Sequence, residues 1–220
     1  FNTAISQSYA RWTKTFVRPA GAGLKVIIPE QENGVTTSEA MGYGMLIAAA
    51  MGDKDSFDKM HVYVRTQLSG GLMTWKPGGF GSASDADADI AYALYMAAAQ
   101  WGSTYEADAD AMGTAFAADI VSDVVSGGSA YHTVFNPSYF APAAYRRFPG
   151  GYAATIVKTY ALVNADINAV TAGIPTDWAD LTSGAPRSAA EMVAQIVRGL
   201  DGKVYGYDAA RVPWRLGWDV

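Results

Sequence analysis

The 220-residue sequence contains no cysteine and only two histidines, His61 and His132. The lack of cysteine excludes disulfides, thiolate nucleophiles and cysteine-ligated zinc, and two histidines are too few for a multi-histidine metal centre. Charged residues make up 17% of the chain, below the usual quarter, and the net charge is −5. Because nucleic acids and anionic membranes attract basic surfaces, this acidic balance argues against both as main partners.

Long hydrophobic runs are also missing. The longest, Met41–Met51, is far shorter than the roughly 20 residues that a membrane-spanning helix needs. Hydrophobic residues nevertheless form 50% of the chain, which is typical of a folded globular protein. The sequence shows no linker long enough to separate two domains. We therefore expect a single domain over residues 1–220 that does not cross a membrane.

Apolar residues recur three and four positions apart along most of the chain, which is the spacing of amphipathic helices. About nine stretches follow this pattern, and the sequence therefore predicts an all-α fold. Asp53 and Asp55 are predicted to cap the third helix. Tyr105–Val125 is predicted to form one continuous fifth helix, and Ala189–Leu200 to form the eighth. The best strand signal, Leu24–Ile28, is short.

Two acidic clusters, Asp85–Asp89 and Glu106–Asp110, stand at predicted helix starts, where negative charge meets the positive end of the helix dipole. A calcium loop beginning at Asp85 would need Gly and Glu where this chain has Ile90 and Met96, so calcium is excluded. The first cluster differs from the second because it follows a glycine-rich loop, Pro77–Gly81, which leaves space for a ligand.

Glu39 admits two interpretations. It can close a capping box with Thr36, in which the carboxylate reaches back to the amide of the cap residue. Alternatively it can act in a functional site. Gly42 and Gly44 follow it, and two glycines in a helix cost about 1 kcal/mol each relative to alanine. We expect that the backbone there packs closely against another element.

Asp208 and Arg211 lie three residues apart, so on a helix they face the same way and can pair. The pair is either a surface ion pair worth under about 1 kcal/mol or a carboxylate that Arg211 holds ionised. Aromatic residues are frequent in the sequence around Asp208 and Arg211, and also in the segments around Trp75, Tyr139 and Trp178. Flat aromatic faces beside carboxylates suit a sugar-binding cleft, although most aromatic residues in any domain belong to the core.

Four segments resemble the signature blocks of glycoside hydrolase family 8 and occur in the order found in that family. The segments are Ser38–Met45, Ser82–Asp87, Phe135–Pro142 and Tyr207–Arg211. The resemblance implies an (α/α)6 barrel, a ring of helical hairpins, that cleaves β-1,4-linked polysaccharides with inversion. Because helices follow the last block in the family and this chain stops at Val220, we expect the barrel to be incomplete at its C-terminal end.

The resemblance also implies roles for individual residues. Glu39 matches the general acid, Asp208 the general base, and Asp85 the acidic residue that holds the distorted sugar. The residues expected to bind or support the substrate are Tyr139, Arg211, Trp75, Trp178 and Asp87. An inverting hydrolase needs one protonated and one ionised carboxyl group about 6.5–9.5 Å apart. A helix start favours the ionised form of Glu39, and Asp85 together with burial beneath the sugar would have to oppose it.

The same resemblance implies no metal and no cofactor, a β-1,4-glucan substrate and a secreted or periplasmic monomer. Xylan and chitosan remain alternative substrates within the family. Ala40 stands where the family usually has glycine. A non-catalytic glycan-binding module and a terpene-cyclase-like helical enzyme are alternatives of other classes. Both leave the Glu39 and Asp208 blocks unexplained.

Overall fold

The computed structural model describes residues 3–28, 34–129, 131–194 and 202–219. Helix accounts for 56% of them and strands are few and short, which confirms the all-α prediction. The α-helices of the described residues are α1 (Thr3–Phe16), α2 (Ser38–Met51), α3 (Lys54–Thr66), α4 (Ser84–Trp101), α5 (Glu106–Ala115), α6 (Pro142–Tyr145), α7 (Ala153–Ala169), α8 (Ala189–Ala194) and α9 (Val212–Gly217). The predicted helix Ala189–Leu200 begins as expected, and its positions 195–200 lie outside the described residues.

The strands of the described residues form two-stranded antiparallel pairs. The pairs are β1 (Val17–Ala20) with β2 (Gly23–Val26), β3 (Leu68–Ser69) with β4 (Leu72–Met73), β5 (Ile120–Val121) with β6 (Val124–Val125), and β7 (Val134–Phe135) with β8 (Ala179–Asp180). The contacts divide the chain into two compact units, Phe1–Met112 and Gly113–Val220. A single catalytic domain over residues 1–220 stays a prediction.

In the first unit, α2 packs against α3, α4 and the β1–β2 hairpin. A Cβ on Gly44 would lie 2.5 Å from Val26 Cγ2 and 3.2 Å from Met60 Sδ, so only glycine fits this contact. Of the two predicted caps of α3, Asp53 is the cap residue and accepts a hydrogen bond from Ser56 N at 3.0 Å, whereas Asp55 lies inside the first turn. The expectation that the α2 glycines mark a close approach of the backbone is confirmed.

In the second unit, the predicted continuous helix Tyr105–Val125 is wrong. After α5 ends, a 3-10 turn at 116–119 leads into the β5–β6 hairpin, whose turn residues Ser122 and Asp123 have φ angles of 50° and 61°. Pairs of β-branched residues on either side of a two-residue left-handed turn favour a hairpin over a helix. Lys158 Nζ donates to Ser122 O at 2.5 Å and holds the turn from α7.

None of the helices in the described ranges is long and apolar enough to cross a membrane.

Candidate active site

The pairing of α2 with α4 places two predicted site residues at one end of a helix pair. A Cβ on Gly42, in the second turn of α2, would lie 2.9 Å from Asp89 Cβ and 3.2 Å from Ala86 O, near the start of α4. Near the other end of both helices, Gln100 Nε2 donates to Ala49 O at 3.0 Å. The two helices therefore run in the same direction, and their first turns lie side by side.

Glu39 and Asp85 occupy these first turns. Glu39 is half-buried, and Asp85 is fully buried. The cap residue of α2 is Thr37, whose hydroxyl accepts from Ala40 N at 3.3 Å, so the interpretation of Glu39 as part of a capping box with Thr36 is wrong. Because Glu39 is the second residue of the helix and a capping box uses the third, its presence is not explained by capping.

The glycine-rich loop before α4 is tied to the start of α2. Ser38 N donates to Trp75 O at 2.9 Å, and Trp75 N donates to Gly81 O at 2.9 Å. The Trp75 ring is half-buried, with Lys76 Nζ 5.8 Å from its centroid. Phe80, at the outer part of the loop, is 85% exposed. The backbone hydrogen bonds thus hold Trp75 beside the residue that precedes Glu39.

Asp87, predicted to bind substrate, is fully buried one turn into α4. Its Oδ1 accepts a hydrogen bond from Met73 N at 2.7 Å, which ties β4 to α4. Burial with a backbone partner gives this carboxylate a structural task inside the first unit. Its contact with substrate stays a prediction.

In the second unit, Asp208 and Arg211 form the ion pair expected from their spacing, with side chains 23% and 14% exposed. Asp208 is the cap residue of a 3-10 turn at Ala209–Arg211 that leads directly into α9. The Arg211 guanidinium also lies over the ring of Tyr139, 5.4 Å from its centroid. One cation therefore contacts both the candidate base and a candidate substrate-binding ring, and its charge favours the ionised carboxylate.

The ring of Tyr139 packs against the ring of Trp178. Their ring centroids are 5.6 Å apart in an edge-to-face arrangement, and Tyr145 Oη donates to Tyr139 O at 2.8 Å. Trp178 is only 4% exposed and packs with Val134 and Met192. The contact of Trp178 with substrate stays a prediction, and its observed contact is with the ring that Arg211 covers.

Asp177, which no sequence pattern singles out, touches the backbone around Asp208. Its Oδ1 accepts hydrogen bonds from Gly206 N at 2.9 Å and Ala209 N at 2.7 Å. A Cβ on Gly206 would lie 2.2 Å from the other carboxylate oxygen, so any larger residue at this position would force that carboxylate to shift. The partners are 29 and 32 residues from Asp177 in sequence, which is why local spacing gives no signal.

The structure thus groups the predicted residues within each unit: Glu39, Asp85 and Trp75 in the first, and Asp208, Arg211 and Tyr139 in the second. Across the described part of the chain, no group of three or more acidic, histidine or cysteine side chains could hold a metal ion.

Comparison with known proteins identifies the family. The model of glycosyl hydrolases family 8 matches residues 2–219. The chain belongs to this family. The resemblance of the four sequence blocks is therefore confirmed, and so is the fold class, since the family 8 structures that the chain resembles have an (α/α)6 barrel.

Individual relatives and solved structures also belong to glycan-degrading enzymes. Endoglucanase 2 of Ruminiclostridium josui is 30% identical, over 99% of this chain and 50% of its own length. The apo structure of a β-1,3-1,4-glucanase from Paenibacillus sp. X4 has a TM-score of 0.86 at 28% identity, over 98% of this chain and 65% of that one. A cold-adapted family 8 xylanase shares the fold, with a TM-score of 0.78 at 19% identity over 99% of this chain and 66% of that one. The family 8 chain thus spans about half the length of this endoglucanase from Ruminiclostridium josui.

Proposed function

We propose that this family 8 chain carries the catalytic acid and base of an endo-acting, inverting hydrolase of β-1,4-linked glucan. The similarity to an endoglucanase and to a β-1,3-1,4-glucanase, at 30% and 28% identity, supports a glucan as the substrate. Xylan is the second candidate substrate, favoured by the fold shared with a family 8 xylanase.

In this proposal Glu39 protonates the glycosidic oxygen as the leaving sugar departs. Its position in the first turn of α2, outside the capping-box position, supports an active role for the carboxyl group. Asp85, in the neighbouring first turn of α4, contacts the sugar at the cleavage point. The Trp75 ring, held beside the start of α2, provides an apolar face for another sugar unit.

Asp208 takes the proton from the attacking water in the same proposal. The observation that carries this role is the ion pair with Arg211, because a general base must be ionised before it can accept a proton. The Arg211 guanidinium also lies over the Tyr139 ring. Water then attacks the anomeric carbon from the face opposite the leaving group, which inverts its configuration.

The test is release of reducing ends from cellulose, mixed-linkage glucan, xylan and chitosan. Glu39→Gln should lower turnover on the preferred polymer about 10²- to 10⁴-fold, the usual effect of losing a general acid. Glu106→Gln is the matched control, because Glu106 is also a first-turn glutamate but is exposed at the start of α5. Near-normal turnover by Glu39→Gln would contradict the assignment. Polymer binding by the unaltered protein without released ends would favour the glycan-binding module.

We further propose a secreted or periplasmic monomer, since a polymeric substrate lies outside the cytoplasm. Fractionation of the producing cells and the molar mass in solution test these two points.

A further inference from the structure

We propose that Asp177 is a positioning residue for the general base, and that its carboxylate fixes the backbone on both sides of Asp208. The proposal rests on the function proposed above, because it assigns a task in catalysis only if Asp208 activates the water.

A single carboxylate oxygen of Asp177 receives two backbone amides that bracket Asp208. Gly206 N, two residues before Asp208, and Ala209 N, one residue after it, donate to Oδ1 at 2.9 and 2.7 Å. Hydrogen bonds to an ionised acceptor are about twice as strong as neutral ones. Asp177 therefore determines where this short segment of backbone lies.

The backbone of Asp177 and Trp178 adds two further hydrogen bonds. Asp177 N donates to Val204 O at 3.0 Å, and Trp178 N donates to Gly202 O at 3.1 Å. Trp178 in turn supports Tyr139, over which Arg211 lies. The dipeptide Asp177–Trp178 therefore supports both members of the ion pair, Asp208 through its backbone and Arg211 through Tyr139.

The residues just before Asp208 lie at the surface, whereas Ala209 after it is buried. Tyr207, directly before Asp208, is 97% exposed, and Tyr205 is 49% exposed. Asp208 stands at the start of a 3-10 turn, and the described residues directly before it, 202–207, are not helical. Loss of the Asp177 carboxylate should therefore let Asp208 shift, and a displacement of about 1 Å at a catalytic group can lower the rate about 100-fold.

Asp180 provides a matched control three residues further along the chain. Its Oδ1 also accepts two backbone amides, Thr182 N at 3.0 Å and Ser183 N at 2.7 Å. This turn contains none of the candidate site residues. Asp180→Ala therefore removes the same kind of interaction, together with the ion pair to Arg187 and a hydrogen bond from Ser183 Oγ, and leaves both amide bonds that bracket Asp208.

The experiment compares kcat and KM on β-1,4-glucan with amide hydrogen exchange at Gly206 and Ala209. Asp177→Ala should lower kcat about 100-fold with little change in KM and should lose protection at both amides. Asp177→Asn keeps an acceptor oxygen and should recover most of the lost kcat. Asp180→Ala should keep the kcat of the unaltered protein and the protection at both amides.

Equal kcat values for Asp177→Ala and Asp180→Ala would overturn the positioning role of Asp177. Asp208→Asn tests the proposed function separately, and its inactivity would support that function whatever the result for Asp177. Full activity of Asp208→Asn would instead overturn the proposed function, and the positioning role with it. If Asp177→Ala fails to fold, Gly206→Ala replaces it, because its Cβ would lie 2.2 Å from Asp177 Oδ2 and displace the carboxylate. A normal kcat for Gly206→Ala would then contradict the proposal.

Discussion

Replacing Gly44 with alanine tests the close packing at the centre of the first unit. The added Cβ would lie 2.5 Å from Val26 Cγ2, whereas carbon atoms pack best at about 3.5–4.0 Å. Val26 is buried, and its β-branched side chain is restricted in rotation. Overpacking of a core costs about 1–3 kcal/mol, and alanine recovers about 1 kcal/mol of helix propensity. We expect a net loss of about 0–2 kcal/mol in the free energy of unfolding.

Urea unfolding followed by far-UV circular dichroism measures this loss. Gly217→Ala is the control, because it makes the same substitution in α9 with no atom within 4 Å and should leave stability equal or slightly higher. Val26→Ala removes the clashing methyl group, so the double variant should be more stable than the sum of the single effects by about 1–3 kcal/mol. A stabilising Gly44→Ala, or strictly additive effects, would refute the packing argument.

Two further predictions concern pH. Burial lowers the pKa of His61 from 6.5, so the unfolded chain binds the proton more readily and stability falls as the pH drops below about 6.5. His61→Gln should therefore reduce the change in the urea-unfolding midpoint between pH 5 and 7, whereas His132→Gln, at an exposed position, should not. The Arg146 guanidinium lowers the pKa of Asp219 in the folded protein. The pair therefore stabilises the fold at any pH above the pKa that Asp219 has in the unfolded chain, and this stabilisation is lost as the pH falls through the pKa of Asp219 in the folded protein. Asp219→Ala should lower the midpoint at pH 7 and lessen its fall in acid; an unchanged midpoint would contradict the ion pair.

Much of the helical fold could be predicted because its signals are local. The periodicity of α1 to α4 and the cap of α3 depend on residues three or four positions apart. The prediction of the fifth helix failed beyond Ala115, where the chain forms a 3-10 turn and the β5–β6 hairpin. Lys158 of α7 holds the turn of this hairpin. Contacts of that length leave no periodic trace in the sequence.

In the candidate site, too, the features that depend on local spacing could be predicted and those that depend on distant contacts could not. The spacing of Asp208 and Arg211 predicts their ion pair, and the family blocks identify Glu39. The cap of α2 was misplaced by one residue because Thr36 and Thr37 are chemically equivalent in the sequence. Asp177 could not be found, since its hydrogen bonds join residues about 30 positions apart.

The anomeric configuration of the first product tests the central claim, inversion by an acid and a base, most directly. Proton NMR of the unaltered protein on soluble β-1,4-glucan follows the reducing-end signals before mutarotation mixes them. The account predicts that the α-anomer appears first, because water activated by Asp208 attacks the face opposite the leaving group. Early appearance of the β-anomer would contradict it, since retention requires a covalent intermediate and a nucleophile in place of the base.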